Sequence, residues 1–82
     1  MNVFETVKKA ICKIQPGIEE SKITPDALLK EDLEIDSLSK VEMALALEDE
    51  LQMSLQDTEL DNIKTVGQVV SLIESKLKVH NV

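Results

Sequence analysis

Apolar residues recur at helical spacing in three separate segments of the chain. Val3, Val7, Ala10, Ile11 and Ile14 make the first series, and Pro16-Gly17 closes it, so a helix is predicted from about Val3 to Gln15. Met43, Ala44, Leu47 and Leu51 make the second, in a helix that starts near Asp36 or Ser37 and ends at about Leu51. Val66, Val69, Val70, Ile73 and Leu77 make the third, behind Thr65-Val66-Gly67-Gln68, which has the form of a capping box. The tail from Val79 is expected to fray, and His80 within it receives no role. No segment alternates apolar and polar residues as a half-buried strand does.

The two connections differ. From about Gly17 to Ile35 the chain carries Ile18, Ile23, Leu28, Leu29, Leu33 and Ile35, too many aliphatic residues for a solvated linker, so this stretch is expected to drape over the core. Within it, Thr24-Pro25-Asp26 suits the cap of a short turn with Pro25 at the first helical position. Residues 52–62 read as a loop with one short helix around Asp57 to Asp61. The fold class that follows is all-α: a small four-helix bundle of three main helices and one short one, with a long structured loop between the first two. The start of the second helix stays open. Asp36 suits an N-cap, and Ser39-Lys40-Val41-Glu42 fits a capping box one turn later.

That second helix carries more apolar surface than one stripe. Leu38, Val41 and Leu45 fall on a second arc, with Glu42 and Asp49 on one border and Glu48 on the other. Two outcomes fit: the long loop covers this arc, or the arc is a docking face of small apolar anchors ringed by carboxylates that steer encounter.

Composition narrows the function. With 82 residues the chain is read as a single domain, residues 1–82, too small for a deep substrate cavity with a catalytic apparatus. Phe4 is the only aromatic residue, so the core must be aliphatic. The net charge is −7, and residues 31–61 hold eleven acidic residues against the single Lys40, a local net of −10. Such a surface repels nucleic acid and anionic membranes and attracts basic protein patches. Cys12 is the only cysteine, which excludes an internal disulfide and is consistent with a cytoplasmic protein; it falls opposite the first helix's apolar face, as an exposed bystander thiol. No Cys/His cluster spells a zinc site. The longest apolar run, Met43 to Leu47, is too short to span a membrane, and the N-terminus lacks the layout of a signal peptide.

Ser37 lies where the loop becomes the helix. Backbone N–H groups and the positive end of the helix dipole favour an anion there, while the neighbouring carboxylates oppose free phosphate, so the position suits a covalently carried group better than a bound ion. Taken alone, a serine at a helix start is most often just a cap. The only histidine is His80, so no base stands beside Ser37 to make it a nucleophile of the triad kind.

The stretch EDLEIDSLSKVEMALALEDEL, residues 31–51, resembles the signature of the acyl carrier proteins. Upstream, ITPDALLKEDL is similar to that family's loop, and downstream IKTVGQVVSLI is similar to the start of its last helix, so the resemblance covers nearly the whole chain. It implies that Ser37, between Asp36 and Leu38, receives 4′-phosphopantetheine from coenzyme A through a separate magnesium-dependent phosphopantetheinyl transferase. It also implies that the terminal thiol carries acyl groups as thioesters between enzymes of fatty-acid or specialised lipid or polyketide biosynthesis. The chain would then be a shuttle and not an enzyme, without a metal of its own and monomeric in the cytoplasm. Its docking residues would be Leu38, Val41, Glu42, Leu45, Glu48 and Asp49, meeting acyl synthases and transferases that carry basic patches. The family's bundle often receives the acyl chain between its helices, which an aliphatic core suits.

The chain departs from the family at three places. Glu34-Ile35 stands where Gly-Ala is common, which removes freedom for positive φ and is expected to add a charge and a bulky apolar group beside the arm. Ser39-Lys40 replaces a common Asp-Thr, placing a cation where many partners meet none, and Gln56 replaces a proline before the third helix. Three rival readings compete with the carrier. Asp32, Glu34 and Asp36 alternate as in a calcium loop, but Ser37 takes the place of the required glycine and Met43 that of the bidentate glutamate. A peptidyl or aminoacyl carrier uses the same serine but usually has a less acidic second helix. An unmodified helical interaction module would leave Ser37 bare.

Overall fold

The computed structural model describes residues 2–80. Four helices follow one another: α1 (Val3–Ile14), α2 (Ser37–Leu51), α3 (Asp57–Leu60) and α4 (Val66–His80), with a 3₁₀ turn at Glu20–Lys22 after α1. Among the described residues there is no strand, only an isolated antiparallel bridge between Leu28 and Thr65. The all-α bundle with its long structured loop is therefore the observed architecture.

Helix α1 starts on a cap that the apolar pattern did not reveal: Asn2 Oδ1 accepts from the Glu5 N–H at 3.2 Å. Its inner face buries Val3, Val7, Ala10 and Ile11 against α2 and α4. Cys12 corrects an expectation. It is half-buried and packed against the core, and Glu20 of the 3₁₀ turn reaches α1 from that side, 3.9 Å from Lys8 Nζ. Burial first, and the nearby Glu20 carboxylate second, push the Cys12 thiol up.

The loop between α1 and α2 is part of the core. Ile23, Ala27, Leu29, Leu33 and Ile35 are buried within it. Pro25 and Asp26 form a β-turn rather than the start of a helical turn, since the Ala27 N–H closes onto the Thr24 carbonyl at 3.0 Å. The chain then runs beside the beginning of α4. The Leu29 N–H donates to Lys64 O at 2.8 Å, Val66 N–H to Ala27 O at 3.1 Å, and Gly67 N–H to Pro25 O at 2.9 Å. A β-carbon on residue 67 would stand 2.9 Å from Pro25 O, closer than such atoms tolerate, so this seam requires glycine.

Helix α2 buries Met43, Ala44 and Leu47, with Leu51 half-buried, so the inward arc is the one expected. It ends at Gln52, whose φ of 53° lies in the left-handed region and whose N–H still reaches Glu48 O. In the following loop the Leu55 N–H donates to Glu48 Oε2 at 2.8 Å. Glu59 braces α3 twice: Oε1 accepts from the Gln56 N–H at 3.0 Å, and Oε2 lies 2.8 Å from Lys76 Nζ on α4.

Helix α4 opens on the expected box. The Gln68 N–H donates to Thr65 Oγ1 at 3.2 Å, while Gln68 Oε1 accepts from the Thr65 N–H at 3.1 Å. Val66, Val69 and Ile73 are fully buried. The helix continues through His80, past the expected fraying point at Val79; the side chain of His80 lies outside the described residues.

Candidate functional site

The start of α2 is settled by its cap. Asp36 has extended backbone, its Oδ1 accepts from the Ser39 N–H at 2.9 Å, and its carbonyl accepts from the Lys40 N–H at 2.8 Å. Ser37 is therefore the first helical residue, and the rival start at Ser39 falls inside the first turn. The Ser39 N–H, followed by the Ser39 hydroxyl, holds the Asp36 carboxyl below the usual range. Ser37 is exposed, and among the described residues no partner holds its hydroxyl. The N–H groups of this turn and the helix dipole make the spot favourable for negative charge.

Two devices fix the approach to Ser37. The Leu28 N–H donates to Asp32 Oδ2 at 2.8 Å and the Asp32 N–H to Leu28 O at 2.9 Å, closing a compact turn, and Asp32 is thereby occupied. The Ile35 N–H then donates to Leu29 O at 2.7 Å. Between them Glu34 adopts a φ of 55°, so the conformation that glycine would take freely is kept by a residue with a β-carbon. Gln15 holds it there: its Nε2 donates to Glu34 O at 3.0 Å and to Leu33 O at 3.2 Å. Ile35 was expected to crowd the arm. It is 1% exposed, so most of its bulk anchors the loop in the core.

The second arc of α2 is uncovered. Leu38 is 72% exposed, Leu45 60% and Val41 41%, so the long loop does not cover it. Glu42 and Asp49 are exposed along it. Glu48 is half-buried, and one of its oxygens is engaged by Leu55. Lys40 does not project its charge as expected. Its ammonium turns inward and donates to Leu60 O and Ile63 O, each at 3.1 Å.

Beside Ser37 lies an open groove of about 390 Å³, with Leu29, Ile35, Ile63 and Lys40 among its walls. A second hollow of about 340 Å³, with Val41 and Leu60 in its walls, shares Ser37, Lys40 and Asp61 with the first.

Compared with known protein families, residues 5–73 match the one described as a phosphopantetheine attachment site. The match spans most of the chain, which belongs to this family, that of the acyl carrier proteins and their relatives. Its members carry 4′-phosphopantetheine covalently, and its carrier domains are generally not catalytic themselves. The residues at the start of α2 fit such a group: an exposed, untethered hydroxyl at the positive end of a helix, with a groove alongside.

The inward hydrogen bonds of Gln15, Lys40 and Glu48 are what the pattern of residues missed. A long polar side chain looks the same in a sequence whether it ends in water or on a backbone group of the fold.

Proposed function

We propose that Ser37 is the residue that bears 4′-phosphopantetheine and that the chain is an acyl carrier protein. The observation that carries this reading is the exposed Ser37 hydroxyl at the first turn of α2, next to an apolar arc that nothing in the fold covers. When attached, the group supplies a thiol that holds acyl groups as thioesters.

In loading, a bond forms between Ser37 Oγ and the pantetheine-side phosphorus of coenzyme A, and the bond from that phosphorus to the bridging oxygen of the pyrophosphate breaks. The adenosine bisphosphate leaves, and the serine proton departs to a base of the transferase. Asp36 keeps the first turn closed while this happens, because its carboxylate satisfies the Ser39 N–H. Leu38, Val41 and Leu45 offer a partner apolar anchors, and Glu42 and Asp49 select partners with basic patches. With eleven acidic residues against one lysine over residues 31–61, acyl-type partners are favoured over peptidyl-type ones. The aliphatic part of the groove, Leu28, Leu29, Ile35 and Ile63 among charged neighbours, gives a bound acyl chain a place to rest.

The test is intact mass after incubation with coenzyme A, magnesium and a broad-specificity transferase. A gain of one phosphopantetheine in wild type, absent in Ser37→Ala, is the expected result. A folded wild-type protein that stays unmodified while a control carrier is loaded would sink the reading.

A further inference from the structure

We propose that Lys40 is a latch that decides which acyl groups this carrier shelters: held by Leu60 O and Ile63 O, it closes the passage beside Ser37 to long apolar chains. The inference rests on the carrier reading of Ser37.

Lys40 lies three residues beyond Ser37, hence on the same side of α2. Its ammonium crosses to the end of α3 and the connection to α4, where the Leu60 and Ile63 carbonyls each accept from it at 3.1 Å. The Leu60 carbonyl also accepts from the Ile63 N–H at 3.1 Å, and the ammonium adds a charged donor there and at Ile63 O, which makes those bonds strong. The helices pack chiefly as α1 on α2 and α1 on α4. The Leu60 and Ile63 side chains are buried in the core, and Lys40 adds a polar tie from α2 to the backbone of the same segment.

Both hollows beside Ser37 share Lys40 as a wall, so its stem lies at the boundary between them. A short acyl group rests in the open groove without disturbing that boundary. A long one gains burial only by wedging between α2 and the 60–63 segment. That movement pulls the ammonium away, which leaves the half-buried Ile63 carbonyl without a donor and the Leu60 carbonyl with the Ile63 N–H alone, a loss that opposes the gain from each added methylene. Long apolar cargo is thus left outside the bundle, and Lys40 acts as a specificity-determining residue.

The experiment loads wild type, Lys40→Met, Lys40→Thr and Lys40→Arg with the arm, checks each by intact mass, and attaches butanoyl or dodecanoyl groups. Melting temperature is then compared between the two cargoes, with amide shifts of Leu60 and Ile63 as a local readout. Far-UV circular dichroism of the unacylated proteins establishes that each variant is folded, and two uncharged variants guard against the loss of one. In Lys40→Met and Lys40→Thr, dodecanoyl should raise the melting temperature over butanoyl by about 5 °C or more, as expected for a group that buries only in the folded state. In wild type and Lys40→Arg the difference should stay below about 2 °C, with the Leu60 and Ile63 shifts unchanged by cargo. Equal rises in wild type and the uncharged variants overturn the latch, and so does the absence of any rise in all four. If Ser37 of wild type takes no arm, the mass step shows it before any melting: the carrier reading has then failed and the inference falls with it.

Discussion

The side-chain amide of Gln15 donates to the carbonyl oxygen of Glu34 at 3.0 Å, tying the end of α1 to a residue whose φ is 55°. A residue with a β-carbon costs roughly 1–2 kcal/mol in that left-handed conformation. Glu34→Gly should therefore stabilise the fold by about 0.5–1 kcal/mol, the relief being partly offset by the freer unfolded chain. Gln15→Ala should destabilise it by about 1–2 kcal/mol, because two loop carbonyls lose their donor. Urea unfolding of the two variants measures both. A loss of stability in Glu34→Gly would contradict the assigned backbone.

The seam between the long loop and α4 is tested by Gly67→Ala. The added β-carbon meets backbone, the Pro25 carbonyl at 2.9 Å, which has no flexible end to swing aside. A loss of about 1–3 kcal/mol is expected, together with slower loading at Ser37 as the loop that presents it loosens. Stability unaffected by the substitution would mean that the loop yields readily there.

Acid should weaken the fold through Asp36 and Glu59. Asp36 is held below the usual carboxylate range mainly by the Ser39 N–H, and Glu59 mainly by Lys76. Folded pKa values that are lowered mean that the unfolded chain binds protons more readily. The stabilisation is fully present above the ordinary carboxylate range, about pH 4, and is lost as pH falls through the lower folded values. Asp36→Asn keeps a good cap but cannot ionise, so its melting temperature should fall less steeply than that of wild type on acidification. Parallel curves for the two proteins would refute the assignment.

The uncovered arc of α2 should matter to partners and not to the fold. Leu38→Ala and Leu45→Ala should change stability by no more than about 0.5 kcal/mol, since both side chains are mostly in water. Transfer of the arm should slow in each, and more so in Leu45→Glu. The wild-type rate should also fall as salt is raised, through screening of Glu42 and Asp49. Rates insensitive to all three substitutions would place the docking face elsewhere.

Much of this was legible in the sequence. The three apolar series marked α1, α2 and α4 because each has one continuous inward face, and Thr65 and Gln68 announced their own box. The start of α2 was not, because Asp36 and Ser39 both have capping chemistry; the choice falls to Asp36 because the Ser39 N–H is the group it satisfies. The wheel placed Cys12 in solvent, but a wheel describes one helix and not what the rest of the chain packs beside it. Glu34 shows a different limit: a sequence reports that glycine is gone, not that the fold holds the same φ without it. The inward turn of Lys40 depends on carbonyls more than twenty positions away at the farther one, and no local pattern encodes that.

The seam of Pro25, Ala27 and Leu29 with Lys64, Val66 and Gly67 has a consequence for biosynthesis. The loop that presents Ser37 is fastened not by neighbouring residues alone but by backbone made much later during translation. A nascent chain that has emerged only to the end of α2 would already display the serine, but on an unfastened loop. The ribosome must release the chain beyond Gly67 before the platform can lock. Recognition by a transferase that reads this platform would then act as a check on completeness, marking chains whose two halves have found one another.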